Sequence, residues 1–274
     1  PLIDFRYTDG MPERLWNEVV ELIKTGTGFP GIFYDPIHIR AKMSTGQSEE
    51  DARNYAIIGC VETGLPGHEY TPTELVHLNW PKLFELMFNE GHAQMQDFYA
   101  PLFENKKLDE IKDFDEFYNW FKSEMEQYTA LAMRSIDYIE TMIPWCFPTP
   151  YLSSLMVGCY EKGMDVTGGA CRYNNTGVST CGLATAVDSL AAIKKVVFDD
   201  KIVTLSQMRD AVNANWEGWD ELHNIVSNHC LKFGNDQDEV DMMMSDLVAS
   251  FAKVVNSRKN PRGGHYMTGL YSVE

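Results

Sequence analysis

Between Asp109 and Thr141 apolar residues recur every three or four positions: Ile111, Phe114, Tyr118, Phe121, Met125, Tyr128 and Ala132. A helix of that length runs about 50 Å at 1.5 Å per residue and carries one apolar stripe that must be laid against other elements. Shorter apolar runs of strand length, Gly31–Asp35 and Tyr55–Ile58, sit between Gly and Pro punctuation. Strands alternating with helices predict an α/β fold rich in helix. Further helices are expected over Met11–Lys24, Ser48–Arg53, Trp80–Asn89, Ser154–Lys162 and Asp238–Asn256. The first has a stripe of Leu15, Val19, Leu22 and Ile23; the last turns Met243, Leu247 and Phe251 inward. Asp188 reads as the cap of a helix ending near Phe198, and Thr204 as the cap of another. Pro144, Pro148 and Pro150 make 142–153 extended or turning. Residues 166–182 read as loop with short strands, and 257–274 as irregular. That leaves room for about four or five strands, too few for a closed eight-stranded barrel.

The chain has 274 residues, 44% of them hydrophobic, which is ample for a large core. Its 23 Lys+Arg against 40 Asp+Glu leave a net charge of −17, the wrong sign for a nucleic acid or an anionic membrane. No apolar run is long enough to span a bilayer, and no signal-peptide core is present. The first residue, Pro1, is not a translation start, so the sequence is expected to be processed or part of a longer chain. Six cysteines in this length fit a reducing, cytoplasmic compartment. No pair has CxxC spacing, and Cys171 and Cys181 have no histidine at ligand spacing, so buried structural thiols are expected rather than a metal site.

The most pointed local feature is Gly59-Cys60-Val61-Glu62, directly after the second apolar run. A thiol on a turn at a strand's C-terminal end stands where α/β proteins keep reactive groups. Glu62, two residues on, can face the same cavity in extended chain. A buried cysteine beside a solvated glutamate is the plainer alternative. The run Gly168–Gly177 is neither a P-loop nor a dinucleotide fingerprint. Its Gly168-Gly169 would admit close approach of a ligand or of another strand. His68, His77 and His92 follow Cys60, so a thiol hydrolase with a Cys–His pair is a rival reading. Arg258, Lys259 and Arg262 form the densest basic cluster and read as a solvated turn.

Taken in order, these residues resemble the glycyl radical enzymes, the pyruvate formate-lyase-like family. Gly59-Cys60-Val61-Glu62, preceded by Glu50-Asp51-Ala52-Arg53-Asn54-Tyr55, is similar to that family's active-site cysteine loop. The series continues through Gly26–Pro30 upstream and Pro148–Ser154, Gly168–Ala170 with Tyr173-Asn174, Asp188–Lys195 and Lys232–Asp236 downstream. The resemblance implies part of a ten-stranded α/β barrel, with this chain as a C-terminal half-barrel portion over residues 1–274. It implies that Cys60 becomes a thiyl radical that takes a hydrogen atom from a small-molecule substrate, with Glu62 as base or proton relay. The cofactor is then a protein glycyl radical, installed by a radical-SAM activating enzyme as partner; the remainder of the parent chain and a homo-oligomer are the other expected partners, with no metal.

Two departures shape the expectation. The family's radical loop, Arg-Val-x-Gly-aromatic, has no match here, and Arg262-Gly263-Gly264-His265-Tyr266 corresponds to an earlier Arg-Gly-Gly stretch. The sequence is therefore expected to be an inactive fragment on its own. The Gly-Trp-His-Asp-like stretch of diol and choline lyases is replaced by His68-Glu69-Tyr70-Thr71-Pro72-Thr73-Glu74. The loop pattern is nearer the arylacetate decarboxylases, such as 4-hydroxyphenylacetate decarboxylase, in which a histidine some thirty residues past the cysteine meets the ring substituent; His92 is the match. A dehydratase or another C–C or C–N lyase is the alternative.

Overall fold

The computed structural model describes residues 4–28, 30–59, 62–94 and 97–271; Phe29, Cys60 and Val61 lie outside the described residues. Along the chain run β1 (Asp4–Tyr7), α1 (Glu13–Lys24), β2 (Gly31–Tyr34), α2 (Asp35–Ser44), α3 (Glu49–Arg53), β3 (Ala56–Ile58), β4 (Glu62–Gly64), β5 (His77–Asn79) and α4 (Trp80–Phe88). They are followed by α5 (Phe114–Cys146), α6 (Pro150–Ser153), α7 (Cys159–Lys162), β6 (Thr176–Cys181), α8 (Leu183–Ile193), α9 (Leu205–Asn213), α10 (Asp220–Asn228), α11 (Asp238–Val255) and β7 (Tyr266–Leu270). The fold is helix-rich α/β. The chain divides into two compact units, the first made of residues 1–73, 137–176 and 259–266, the second of the rest.

In the first unit β1 and β2 pair in parallel, Asp4 opposite Gly31 and Tyr7 opposite Tyr34. Arg6 forks onto Asp35 at 2.8 and 3.0 Å and also donates to the carbonyls of Arg53 and Tyr55. The Tyr55 hydroxyl closes the cluster on Asp35 at 2.6 Å, with the guanidinium 3.9 Å from its ring centre. Burial pushes the Asp35 carboxyl up, but the bonds from Arg6 and Tyr55 together outweigh it and hold it below the usual carboxylate range. One arginine thus ties β1, the start of α2 and the entry to β3. The helix α2 was not among the expected helices: Pro36 presets its first turn, but its weak stripe hides it from a periodicity reading. In α1 only Val19 is buried; Leu15, Leu22 and Ile23 are exposed.

The second unit holds the aromatic core. From α4 come Trp80, Phe84 and Phe88, and from α5 Phe117, Trp120 and Phe121, all buried. Phe84 stacks on Phe121 at 4.3 Å, and Trp80 meets Phe251 of α11 edge-on at 5.9 Å. Leu247 and Phe251 face inward as the α11 periodicity requires, with Met243 half-buried. The buried carboxylate of Glu124 is satisfied by the backbone N–H groups of Phe103 and Glu104. Strands β5, β6 and β7 form one sheet in that order, β5 parallel to β6 with His77 opposite Ser179. Residues 176–180 of β6 are buried, as befits a central strand covered on both faces.

Four boundaries depart from the sequence expectations. α5 continues through Pro144 to Cys146, although the ring there removes the bond to the Glu140 carbonyl, and it stops within one turn of the proline. Residues 154–158 form turns before the short α7. Asp188 lies inside α8, whose first turn starts after Gly182 in a left-handed conformation, and its carboxylate instead accepts the N–H of Phe233 at 2.8 Å. The tail contains β7, in which Gly269 lies so close to the Ser179 hydroxyl that a Cβ would stand 2.5 Å from it.

Candidate active site

The candidate site is built on the hairpin β3–β4 in the first unit. Its lead-in helix α3 begins where the Ser48 hydroxyl accepts the N–H of Asp51 at 3.1 Å. The Asp51 carboxylate takes the Tyr173 hydroxyl at 2.7 Å and Arg172 at 2.9 Å, and those bonds, the tyrosine first, hold it below the ordinary carboxylate range. The glycine-rich run therefore anchors the helix that delivers β3. Gly169 within that run has φ +94°, and a Cβ there would stand 3.3 Å from the Arg262 backbone, the close approach its sequence suggested.

The hairpin is antiparallel, with Ile58 opposite Glu62 and Ala56 opposite Gly64. Gly59 leaves β3 at φ +61°, where a side chain is strained. A Cβ on it would also stand 3.0 Å from both carboxyl oxygens of Glu62. The Glu62 carboxylate is thus folded over the residue that precedes Cys60. It is half-buried, and Thr73 donates its hydroxyl to it at 3.4 Å. Such a carboxylate can take a proton from, or return one to, a group held at the turn.

Behind the hairpin lies a buried ion pair that sequence reasoning missed. Lys42 of α2 and Glu69 are each 1% exposed at the side chain, with Nζ 3.4 Å from Oε2. Lys42 also donates to the Thr63 carbonyl in β4 at 3.0 Å. Glu69 accepts from the Leu65 N–H at 2.9 Å, Gln47 at 3.0 Å, Thr71 at 2.8 Å and Asn175 at 3.3 Å. Burial pushes the Lys42 ammonium down, partly opposed by Glu69. Arg262 needs a similar correction. Its side chain is 4% exposed and bonds Glu140 at 2.9 Å, the Asn175 carbonyl at 2.6 Å and the Tyr70 carbonyl at 3.2 Å. A local basic cluster cannot reveal a partner 122 residues away.

The histidines are dispersed. The Nδ1 atom of His68 is buried without a hydrogen-bond partner among the described residues. His77 packs at a tilt against Tyr271, 5.6 Å between ring centres, in the second unit. His92, also in the second unit, packs on Tyr99 at 4.9 Å and lines an open cavity of about 370 Å³ with Glu90, Leu102 and Asn105. Cys159, Cys171 and Cys230 are buried, as expected of structural thiols, and burial pushes the Cys171 thiol up to about 11; Cys146 is exposed. No cluster of metal-ligating side chains occurs among the described residues. No helix among them is long and apolar enough to cross a membrane.

The whole chain, residues 1–274, matches the profile of pyruvate formate lyase-like proteins. It belongs to that family, the glycyl radical enzymes. It is 33% identical to the (2S)-3-sulfopropanediol dehydratase of Klebsiella oxytoca, over 100% of this chain and 33% of the relative. The indoleacetate decarboxylase of Tractidigestivibacter scatoligenes is 26% identical over 100% of this chain and 34% of its own length. Among solved structures, the glycerol-bound B12-independent glycerol dehydratase of Clostridium butyricum superposes with a TM-score of 0.86 at 32% identity, over 99% of this chain and 34% of that one. The chain spans about a third of the length of the relatives it matches. Over that third it has the α/β fold of glycyl radical enzymes.

Proposed function

We propose that this chain is the portion of a radical lyase that carries the hydrogen-abstracting cysteine, Cys60, and its proton-handling partner, Glu62. The observation that carries the reading is the Glu62 carboxylate folded over Gly59, one residue before the thiol. A thiyl radical on Cys60 takes a hydrogen atom from a substrate carbon and becomes a thiol. For a hydroxylated substrate, the O–H on the radical carbon then gives its proton to Glu62. The neighbouring C–O bond breaks, and the departing hydroxyl takes that proton back from Glu62, leaving as water and restoring the carboxylate. The product radical recovers its hydrogen atom from the Cys60 thiol, so the cycle closes without net oxidation. The radical resides on a glycine of the whole protein, placed there by a radical-SAM activating enzyme.

Dehydration is the leading reaction, since the relatives at 33% and 32% identity are named dehydratases. Decarboxylation of an arylacetate is the second reading. The 68–74 stretch without a Gly-Trp-His-Asp pattern and the relative named indoleacetate decarboxylase favour it. The test uses the whole protein, activated anaerobically and offered (2S)-3-sulfopropanediol, glycerol, indoleacetate and 4-hydroxyphenylacetate. Cys60→Ser is expected to abolish turnover while the glycyl radical still forms. Glu62→Gln should lower kcat by about 10²–10⁴-fold. Skatole or p-cresol release would select the decarboxylase, and full activity in Cys60→Ser would overturn both readings.

A further inference from the structure

We propose that Lys42 and Glu69 are positioning residues for Glu62, an inference that rests on the proton-handling role given to that carboxylate. Strands β3 and β4 have three residues each, and a two-stranded hairpin that short does not hold its own register in water. Its restraint comes from the buried pair. Lys42 grips the carbonyl of Thr63, the residue after Glu62, and Glu69 grips the N–H of Leu65, immediately after β4. The strand is therefore pinned on both of its chemical senses, an acceptor by an ammonium and a donor by a carboxylate.

The same carboxylate reaches the other side of the site. Its second oxygen accepts the Thr71 hydroxyl, and two residues on Thr73 donates to Glu62. Glu69 thus fixes the segment that supplies the neighbour of the Glu62 carboxylate as well as the strand that supplies its backbone. Gln47 and Asn175 complete the shell, so Glu69 accepts from five donors in all when Lys42 and Leu65 are counted. A buried ion pair is seldom better for stability than apolar residues of the same volume. Fully bonded, it fixes geometry, and geometry is what a carboxylate folded on a turn requires.

Two measurements test this. In the chain itself, Glu69→Gln keeps the side chain's shape and removes its charge. Amide hydrogen exchange across 56–58 and 62–73 should rise at least about tenfold, with α4, α8 and α11 unchanged. Unchanged protection there would overturn the proposal. In the activated whole protein, with whichever of the four substrates above it turns over, Lys42→Met and Glu69→Gln should each lower kcat about 10- to 100-fold. KM should stay within about threefold, with radical content by electron paramagnetic resonance intact. The deciding arm repeats both substitutions in the Glu62→Gln background, where a residue acting through Glu62 has nothing left to lose. The same fold-loss in both backgrounds would mean a general structural role and sink the inference alone. A neutral Glu62→Gln would sink the functional reading instead. If Lys42→Met does not fold, Glu69→Gln decides.

Discussion

Asp51 joins α3 to a loop more than 120 residues away, and its ionisation is what that junction depends on. Its carboxylate is 16% exposed and receives the Tyr173 hydroxyl and the Arg172 guanidinium. These hold its proton affinity down in the folded chain. A depressed carboxyl contributes stability that is fully present above its unfolded value of about 3.9 and is lost as pH falls through the folded value. Asp51→Asn should therefore cost about 1 kcal/mol at pH 7. Melting wild type and variant side by side checks it: the difference should shrink toward zero between pH 4 and pH 2. A constant gap over that range would show that the charge is not involved. The helix over Ser48–Arg53 was legible in the sequence because its signals are local, with Ser48 standing as its cap and not within it. The partners Arg172 and Tyr173 were not: the glycine-rich run that holds them stood out, but no local pattern says which distant residue it meets. Gly59 lies between these cases: its place before the cysteine marked a turn, but the carboxylate that fills the space of its missing side chain is visible only in three dimensions.

The long helix α5 shows where periodicity succeeds and where it stops. Its stripe found part of the buried face: Phe121 is fully enclosed and Met125 nearly so, but Ile111, Phe114, Tyr118, Tyr128 and Ala132 are only half-buried, and the buried Phe117, Trp120, Met133 and Ile136 lie off it. The ends were misplaced, because a proline near a C-terminus and a 3₁₀ turn at Leu108–Glu110 leave no periodic signature. The strands β4 and β7 were missed for another reason. Three and five residues with glycine among them are too short and too mixed to alternate, so only their partners make them strands. The helix makes a contrast that can be measured. Phe121 is 0% exposed and stacks on Phe84, so Phe121→Ala should cost about 3–5 kcal/mol through lost burial and the cavity left behind. Tyr138, on the same helix but 78% exposed, should change stability by no more than about 0.5 kcal/mol on replacement by Ala. Urea titration of the two variants gives both numbers, and comparable losses would contradict the burial assigned to this face.

At the scale of the molecule, the chain leaves and re-enters its two units, with boundaries after residues 73, 136, 176, 258 and 266. Neither unit is a continuous piece of sequence, which is why no linker was visible in composition. The consequence is sharpest for residues 1–73, which contain the whole hairpin with Cys60 and Glu62. Within their own unit they lean on later segments at several points. Asp51 needs Arg172 and Tyr173, Glu69 needs Asn175, the Tyr70 N–H bonds the Tyr173 carbonyl, and the Gly67 carbonyl accepts from Val157. A segment of this size also buries a smaller fraction of its surface than a large domain does and starts out marginal. With Asn175 gone, a donor to a buried carboxylate is lost, and a buried pair left short of partners is costly. Residues 1–73 made alone should therefore show the far-ultraviolet circular dichroism of an unfolded chain, and no protected amides in 56–58 or 62–64. Residues 1–274 should show both helix and protection in the hairpin. A 1–73 piece with a cooperative melt and a protected hairpin would mean that the candidate site's hairpin is locally encoded, and that the Lys42–Glu69 pair holds it without help from the rest of its unit.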